Sequence, residues 1–159
     1  MIYRIEVWIS LAAGRRLAGE MVCEIGPDGR GRGGFRYDQE YLQASESFAL
    51  DPVSLPLQRG VFSVDHPGVF GVFEDSLPDD WGRRLLVRKH RIPPRSQNLP
   101  TLLLAQGGSG LGALSFSERG KTEDSPAEVS VIHLEQLVRA AELFERGENR
   151  AAEISLLLG

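Results

Sequence analysis

The chain has 159 residues, of which 42% are hydrophobic and 25% charged, and a formal net charge of −4. This composition indicates a globular protein of one domain, or of one domain plus the beginning of a second, and argues against a chain that coats nucleic acid. The sequence has no secretory signal and no apolar run near the roughly 18 residues that span a bilayer, so we expect a cytoplasmic protein.

The first part of the chain alternates apolar and polar side chains and contains strong turn signals. Pro27-Asp-Gly is the clearest of these turns, and a single helical turn is predicted at 39–44. Strands are predicted at residues 2–10, 16–25, 31–37 and 61–64. The first three strands predict an antiparallel meander.

The second part of the chain is predicted to be mainly helical. A helix starts after Asp75 or Ser76, has Pro78 in its first turn, and ends at Pro93-Pro94. Further helices are predicted at 99–106, 131–146 and 150–158, with a strand at 111–117 and a charged loop at 119–129. We therefore expect an α+β fold, with a small antiparallel sheet or partly closed barrel of about five strands and three to four helices.

Two features superficially suggest cofactor sites. The glycines of Gly107–Gly112 could cradle a phosphate, but a dinucleotide-binding loop follows a strand and precedes a helix, and here the order is reversed. We favour a helix cap and a tight turn. His66, His90 and His133 lie in three different predicted elements, so we predict no metal site. Cys23 is predicted to be a small core or strand residue.

Charged residues cluster around the predicted helix at 76–92. Glu74, Asp75, Asp79 and Asp80 could be acid–base carboxylates, but we favour the interpretation that they stabilise the start of a helix. The basic segment 83–95 is either a solvated helix end, which we favour, or a face for an acidic partner or phosphates. Aromatic and arginine side chains are typical interface anchors, although an aromatic residue on an apolar helix face is more often core. The candidate partner-contact residues are Trp81, Arg84, Arg88 and Arg91.

Several short motifs together resemble the N-terminal region of the HipA family, bacterial serine/threonine kinases that act as toxins in toxin–antitoxin pairs. The motifs are Phe35-Arg-Tyr-Asp38 with Tyr41-Leu42, Ser54-Leu-Pro-Leu57, the stretch Phe73–Leu86, and Gly110–Phe116. Each motif is weak alone, and their order and spacing carry the resemblance.

The resemblance implies a subdomain that packs on a kinase N-lobe. It divides the chain into a HipA-like N-terminal subdomain at 1–118, an exposed loop or linker at 119–130, and at 131–159 the truncated helical start of the kinase N-lobe. The family's phosphate-binding loop, catalytic aspartate and metal-binding aspartate have no matching positions here. No catalytic, cofactor-binding or metal-binding residue is therefore carried over, and ATP and Mg belong to the parent kinase.

We therefore expect a non-catalytic regulatory or interaction module of a HipA-like kinase. The alternative is a free-standing, antitoxin-like subunit that binds and inhibits a separate kinase. The expected partners are the kinase core in cis or in trans, a helix-turn-helix antitoxin resembling HipB, and a second copy of the chain. DNA would be reached only through the antitoxin, and no membrane is expected.

Overall fold

The computed structural model describes residues 1–12, 14–65, 68–108, 112–121, 134–147 and 157. The strands are β1 (Ile2–Leu11), β2 (Gly14–Ile25), β3 (Gly31–Tyr37), β4 (Phe62–Val64) and β5 (Leu114–Glu118). The helices are α1 (Gln39–Gln43), α2 (Gly71–Glu74), α3 (Asp80–Lys89), α4 (Leu99–Gln106) and α5 (Leu134–Glu145), and a 3₁₀ turn spans Pro94–Ser96.

The five strands form one antiparallel sheet in the order β4-β3-β2-β1-β5. A bulge between Val7 and Trp8 shifts the register of β1 against β2. Since β4 and β5 are the two edges and do not pair with each other, the sheet is open. The α+β prediction is confirmed. Of the two predicted forms, a small antiparallel sheet and a partly closed barrel, the structure has the sheet.

One face of the sheet forms the core. In β1, Ile5, Val7 and Ile9 are buried because alternate residues of a strand point to the same side. The Phe73 ring lies against this face, with centroid distances of 5.4 Å to Phe35 and 6.0 Å to Phe116. The start of the Phe73–Leu86 motif is therefore a core residue.

A glycine contact fixes the loop that leads into α2. Gly68 has a φ of 85°, and a Cβ atom added at Gly33 would lie 2.0 Å from the Gly68 carbonyl oxygen. The same oxygen accepts a hydrogen bond of 3.0 Å from the Cys23 thiol. The loop backbone therefore lies directly on β2 and β3, which only the missing side chain at Gly33 permits.

The helix predicted to start after Asp75 or Ser76 begins later, at Asp80, and a separate short helix, α2, which was not predicted, precedes it. The Ser76 and Leu77 amides donate to carbonyls of α2 at 3.2 and 3.0 Å, which closes that helix. Leu77 precedes Pro78, a position where helical backbone is disfavoured. α3 therefore begins two residues after Pro78, with Asp79 as its N-cap, and the prediction that Pro78 lies in the first turn is wrong.

The remaining predicted elements agree with the structure where it describes them. β3 and α4 have the predicted bounds, while β5 begins three residues later than predicted, at Leu114. α3 ends at Lys89, shortly before Pro93-Pro94. Of the helix predicted at 150–158, only Leu157 lies within the described residues, and it is helical. Most of the loop predicted at 119–129 lies outside the described residues.

Candidate partner-binding site

The Phe73–Leu86 motif builds a joint between α2 and α3. Asp79 caps α3 by accepting a hydrogen bond of 2.9 Å from the Gly82 amide. The Gln106 side-chain amide donates to the Ser76 carbonyl at 2.9 Å and so ties the joint to α4. The Asp79 side chain and the Ser76 carbonyl of the motif therefore position α3 and α4.

Gly82 and Arg83 also hold this joint. A Cβ atom at Gly82 would lie 2.6 Å from the Pro78 ring, so the glycine lets the turn fold back on the helix. Arg83 donates to the Pro78 carbonyl at 3.0 Å and forms an ion pair of 3.8 Å with Glu74. Asp79 is therefore at a helix start, as predicted, whereas Glu74 is the last residue of α2 and pairs with Arg83.

Trp81 and Arg88 contact the same aromatic residue of α5. The ring centroids of Trp81 and Phe144 are 5.5 Å apart at an interplanar angle of 71°, and the Arg88 guanidinium lies 4.8 Å from the Phe144 centroid on its face. The Trp81 indole N–H donates to Glu145 at 2.9 Å. We call these four residues the α3–α5 contact.

The other two candidates differ in position. Arg84 is exposed and lines a shallow groove of about 410 Å³ together with Arg88, Phe144 and Glu145. Arg91 lies beyond the C-cap of α3, with a φ of 51°, and does not line that groove. The structure therefore brings Trp81, Arg84 and Arg88 together and places Arg91 apart from them.

An apolar groove lies on the neighbouring face of α3. It has a volume of about 770 Å³ and is lined mainly by side chains of the joint, α3 and α4, with Leu157 also in its lining. Its apolar residues include Leu77, Pro78, Trp81, Leu85, Leu86 and Ala105. We call it the α3–α4 groove. Trp81 lines this groove and also contacts Phe144, so it connects the two features.

The sequence interpretation missed the part that α5 plays. Amphipathic spacing placed Phe144 on the apolar face of a helix, but spacing along one helix cannot identify the surface against which it packs. The sequence also offers two interpretations of the basic segment 83–95, a solvated helix end and a face for a partner, and neither includes contacts within the chain. In the structure Arg83 and Arg88 have contacts within the chain, with Glu74 and Phe144 respectively.

Cys23, His90 and the glycine turn after α4 are the features that could suggest chemistry, and the structure gives the environment of each. Burial raises the pKa of the Cys23 thiol to about 12, so it is a poor nucleophile at neutral pH. Desolvation and the adjacent Lys89 lower the pKa of His90. Gly107 caps α4 and its carbonyl accepts the Phe116 amide at 3.1 Å, in line with the predicted cap, while residues 109–111 of this turn lie outside the described residues.

Two features are absent from the described part of the chain. No group of three or more histidine, cysteine, aspartate or glutamate side chains there could hold a metal ion. No helix in that part is both long enough and apolar enough to cross a membrane. The absence of a cofactor site stays a prediction.

The open sheet, the capped helical joint and the α3–α5 contact define an α+β module whose motif residues hold secondary structure elements together. A model of the HipA N-terminal domain matches residues 15–117, more than half of the chain, and the protein belongs to this family. No curated protein matches the sequence. The matched range includes the joint and ends before α5, and the division at residue 118 stays a prediction.

Proposed function

We propose that this chain is a non-catalytic regulatory and interaction module of a HipA-like serine/threonine kinase from a toxin–antitoxin system. Its family membership supports the kinase association. The observation that carries the proposal is the α3–α5 contact, in which Trp81 and Arg88 hold Phe144 of a helix outside the matched domain. In this proposal the α3 face is the surface that receives the kinase core.

The chemistry of this face suits protein recognition. An aromatic side chain beside arginines is a common composition for interface anchors. Arg84 is exposed next to the contact and adds a planar donor that can pair with a carboxylate. The proposed partner surface therefore presents an apolar or aromatic side chain with an acidic group beside it, as Phe144 and Glu145 do within the chain.

The absence of catalysis can be tested directly. The purified chain is incubated with Mg²⁺ and labelled ATP, and both nucleotide binding and phosphotransfer to itself or to a generic protein substrate are measured. We expect no saturable binding and no transfer. Transfer that scales with the amount of the chain and persists after repurification would overturn the proposal.

A binding assay tests the interaction role. The partner in this assay is a kinase core of the same family, encoded in the same genome. Binding to the full chain is measured by calorimetry for the wild type, Trp81→Ala and Arg84→Ala. Arg59→Ala is the matched control, since Arg59 is exposed in the loop before β4. We expect a loss of about tenfold or more for the two α3 variants, typical of anchor residues, and no loss for the control. Equal affinities for all four proteins would contradict the assignment of the surface.

The alternative function is a free-standing subunit that inhibits a separate kinase in trans. The exposure of Arg84 beside the groove of about 410 Å³ favours it, because a surface of this kind can also receive a partner from outside. The reading frame of the gene distinguishes the two functions. A frame that continues into a glycine- and serine-rich loop and a catalytic aspartate excludes the free-standing subunit.

We further propose that DNA is reached only through a HipB-like antitoxin. Two arginines of the basic segment have partners within the chain, Arg83 with Glu74 and Arg88 with Phe144, which weakens the segment as a phosphate-binding face. The test is DNA binding by the chain alone at several salt concentrations. Binding that falls steeply with rising salt would show direct phosphate contact and contradict this proposal.

A further inference from the structure

Trp81 is the side chain through which two separate parts of the chain meet α3. One side of it receives Phe144 and Glu145 of α5. It also belongs to the lining of the α3–α4 groove, where Leu157 is found. Leu157 and Trp81 are both half-buried, and both pack against the buried pair Leu85 and Phe144. One small apolar cluster therefore joins α3, α5 and Leu157.

Phe144 is the α5 side chain at the centre of this cluster. Among the described side chains of α5, Ala140 and Phe144 are buried and Leu143 is half-buried, whereas Val138 is 51% exposed. The local stability of a contact follows the number of apolar side chains that it buries. Leu157 packs against Leu85 and Phe144 and therefore adds to the stability of the contact between Phe144 and Trp81.

We propose that Leu157 is an intramolecular latch. Seated at the α3–α4 groove, it stabilises the α3–α5 contact and so keeps the Trp81 face occupied within the chain. Its release frees Trp81 and the adjacent groove for an outside partner, which competes with Leu157 for the same apolar surface. This inference rests on the proposed function, in which the α3 face is the interaction surface.

The chain has two tryptophans, so Trp81 can be observed alone after Trp8→Phe. Trp8 lies on the sheet, where its indole N–H donates to Ser117 at 3.0 Å, away from the latch. In this background, tryptophan emission and acrylamide quenching are measured for Leu157→Asp. Val138→Asp is the matched control, because it places the same charge at an exposed position of α5.

We expect Leu157→Asp to shift Trp81 emission to longer wavelength and to raise the quenching constant about twofold, since it populates the open state. Val138→Asp should leave both unchanged, and Phe144→Ala should reproduce the effect. Circular dichroism confirms that each variant is folded. If Leu157→Asp does not fold, Leu157→Ala replaces it, with a smaller shift in the same direction. Trp81 fluorescence that responds to Phe144→Ala and not to the Leu157 variant would overturn the latch.

Partner binding separates this inference from the proposed function. A working latch predicts that Leu157→Asp binds the kinase core more tightly than the wild type does, while Trp81→Ala binds it more weakly. If fluorescence responds to Leu157→Asp but Trp81→Ala binds normally, the latch stands and the interaction surface is wrong. If Trp81→Ala weakens binding but Leu157→Asp leaves Trp81 fluorescence unchanged, the interaction surface is supported and the latch is wrong.

Discussion

Replacement of Gly33 by alanine should destabilise the fold through one contact. The added Cβ would lie 2.0 Å from the Gly68 carbonyl oxygen and 2.9 Å from its carbonyl carbon. Both are backbone atoms, which cannot turn aside as the end of a flexible side chain can. The loop must move away from β3, and the hydrogen bond from Cys23 to that oxygen is then lost.

The expected magnitude follows from three contributions. Overpacking of this kind costs about 1–3 kcal/mol, and the lost hydrogen bond adds about 0.5–1.5 kcal/mol. Alanine recovers about 0.5–1 kcal/mol because it loses less backbone entropy than glycine on folding. The free energy of unfolding should therefore fall by about 0.5–4 kcal/mol for Gly33→Ala.

The neighbouring Gly34 provides a matched control. A Cβ atom there would be 3.5 Å from the Phe62 carbonyl oxygen and 3.6 Å from Val61, which are ordinary contacts. Gly34→Ala should therefore be neutral, or stabilising by up to about 1 kcal/mol. Urea unfolding followed by circular dichroism measures both variants. The packing argument is refuted if Gly33→Ala is no less stable than Gly34→Ala.

Three other substitutions test single features of the structure. Because burial raises the pKa of Cys23 from 9.0 to about 12, the folded state disfavours the thiolate; its stability should be full below pH 9 and fall as the pH rises towards 12. Cys23→Ala should lack this part of the decline, and parallel urea midpoints for the two proteins from pH 8 to 11 would contradict it. Tyr37→Phe removes a hydroxyl that donates to the Leu55 carbonyl at 2.5 Å, so unfolding free energy should fall by about 1–3 kcal/mol, and a loss below about 0.5 kcal/mol in thermal and urea unfolding would count against this bond. Asp79→Ala removes the cap of α3 and should cost about 0.5–2 kcal/mol in urea unfolding, whereas Asp80→Ala should cost less; the reverse order would argue against Asp79 as the N-cap.

The elements that the sequence predicts well have local signals at both ends. α4 has the predicted bounds because Asn98 caps its start, accepting the Thr101 amide at 3.0 Å, and Gly107 ends it. β3 lies between a glycine turn and Asp38, which caps α1. In these cases neighbouring residues determine the backbone, so a single sequence is sufficient.

The features that the sequence did not predict depend on residues far apart in the chain. The contact between Gly33 and Gly68 joins positions 35 residues apart. The sequence around either glycine contains no signal that predicts its contact with the other. The α3–α5 contact joins Trp81 to Phe144, which also lie far apart in the chain. Amphipathic spacing identifies an apolar face in each helix, but several pairings of such faces are compatible with one sequence.

The Phe73–Leu86 motif shows why membership in a family can be clear while the chemistry of a chain is not. Its residues are required together because they form one structure: Phe73 in the core, Asp79 as a cap, Gly82 against Pro78. Such a joint needs particular residue types at fixed spacing, as the contacts of Asp79, Gly82 and Pro78 illustrate. Trp81, like Leu85, has contacts that reach beyond the joint, to α5 and to the α3–α4 groove, and it is the half-buried one of the two. It follows that substitutions at Phe73 or Gly82 should reduce function only as far as they reduce stability, whereas Trp81→Ala should weaken binding of the kinase core even where the fold is retained.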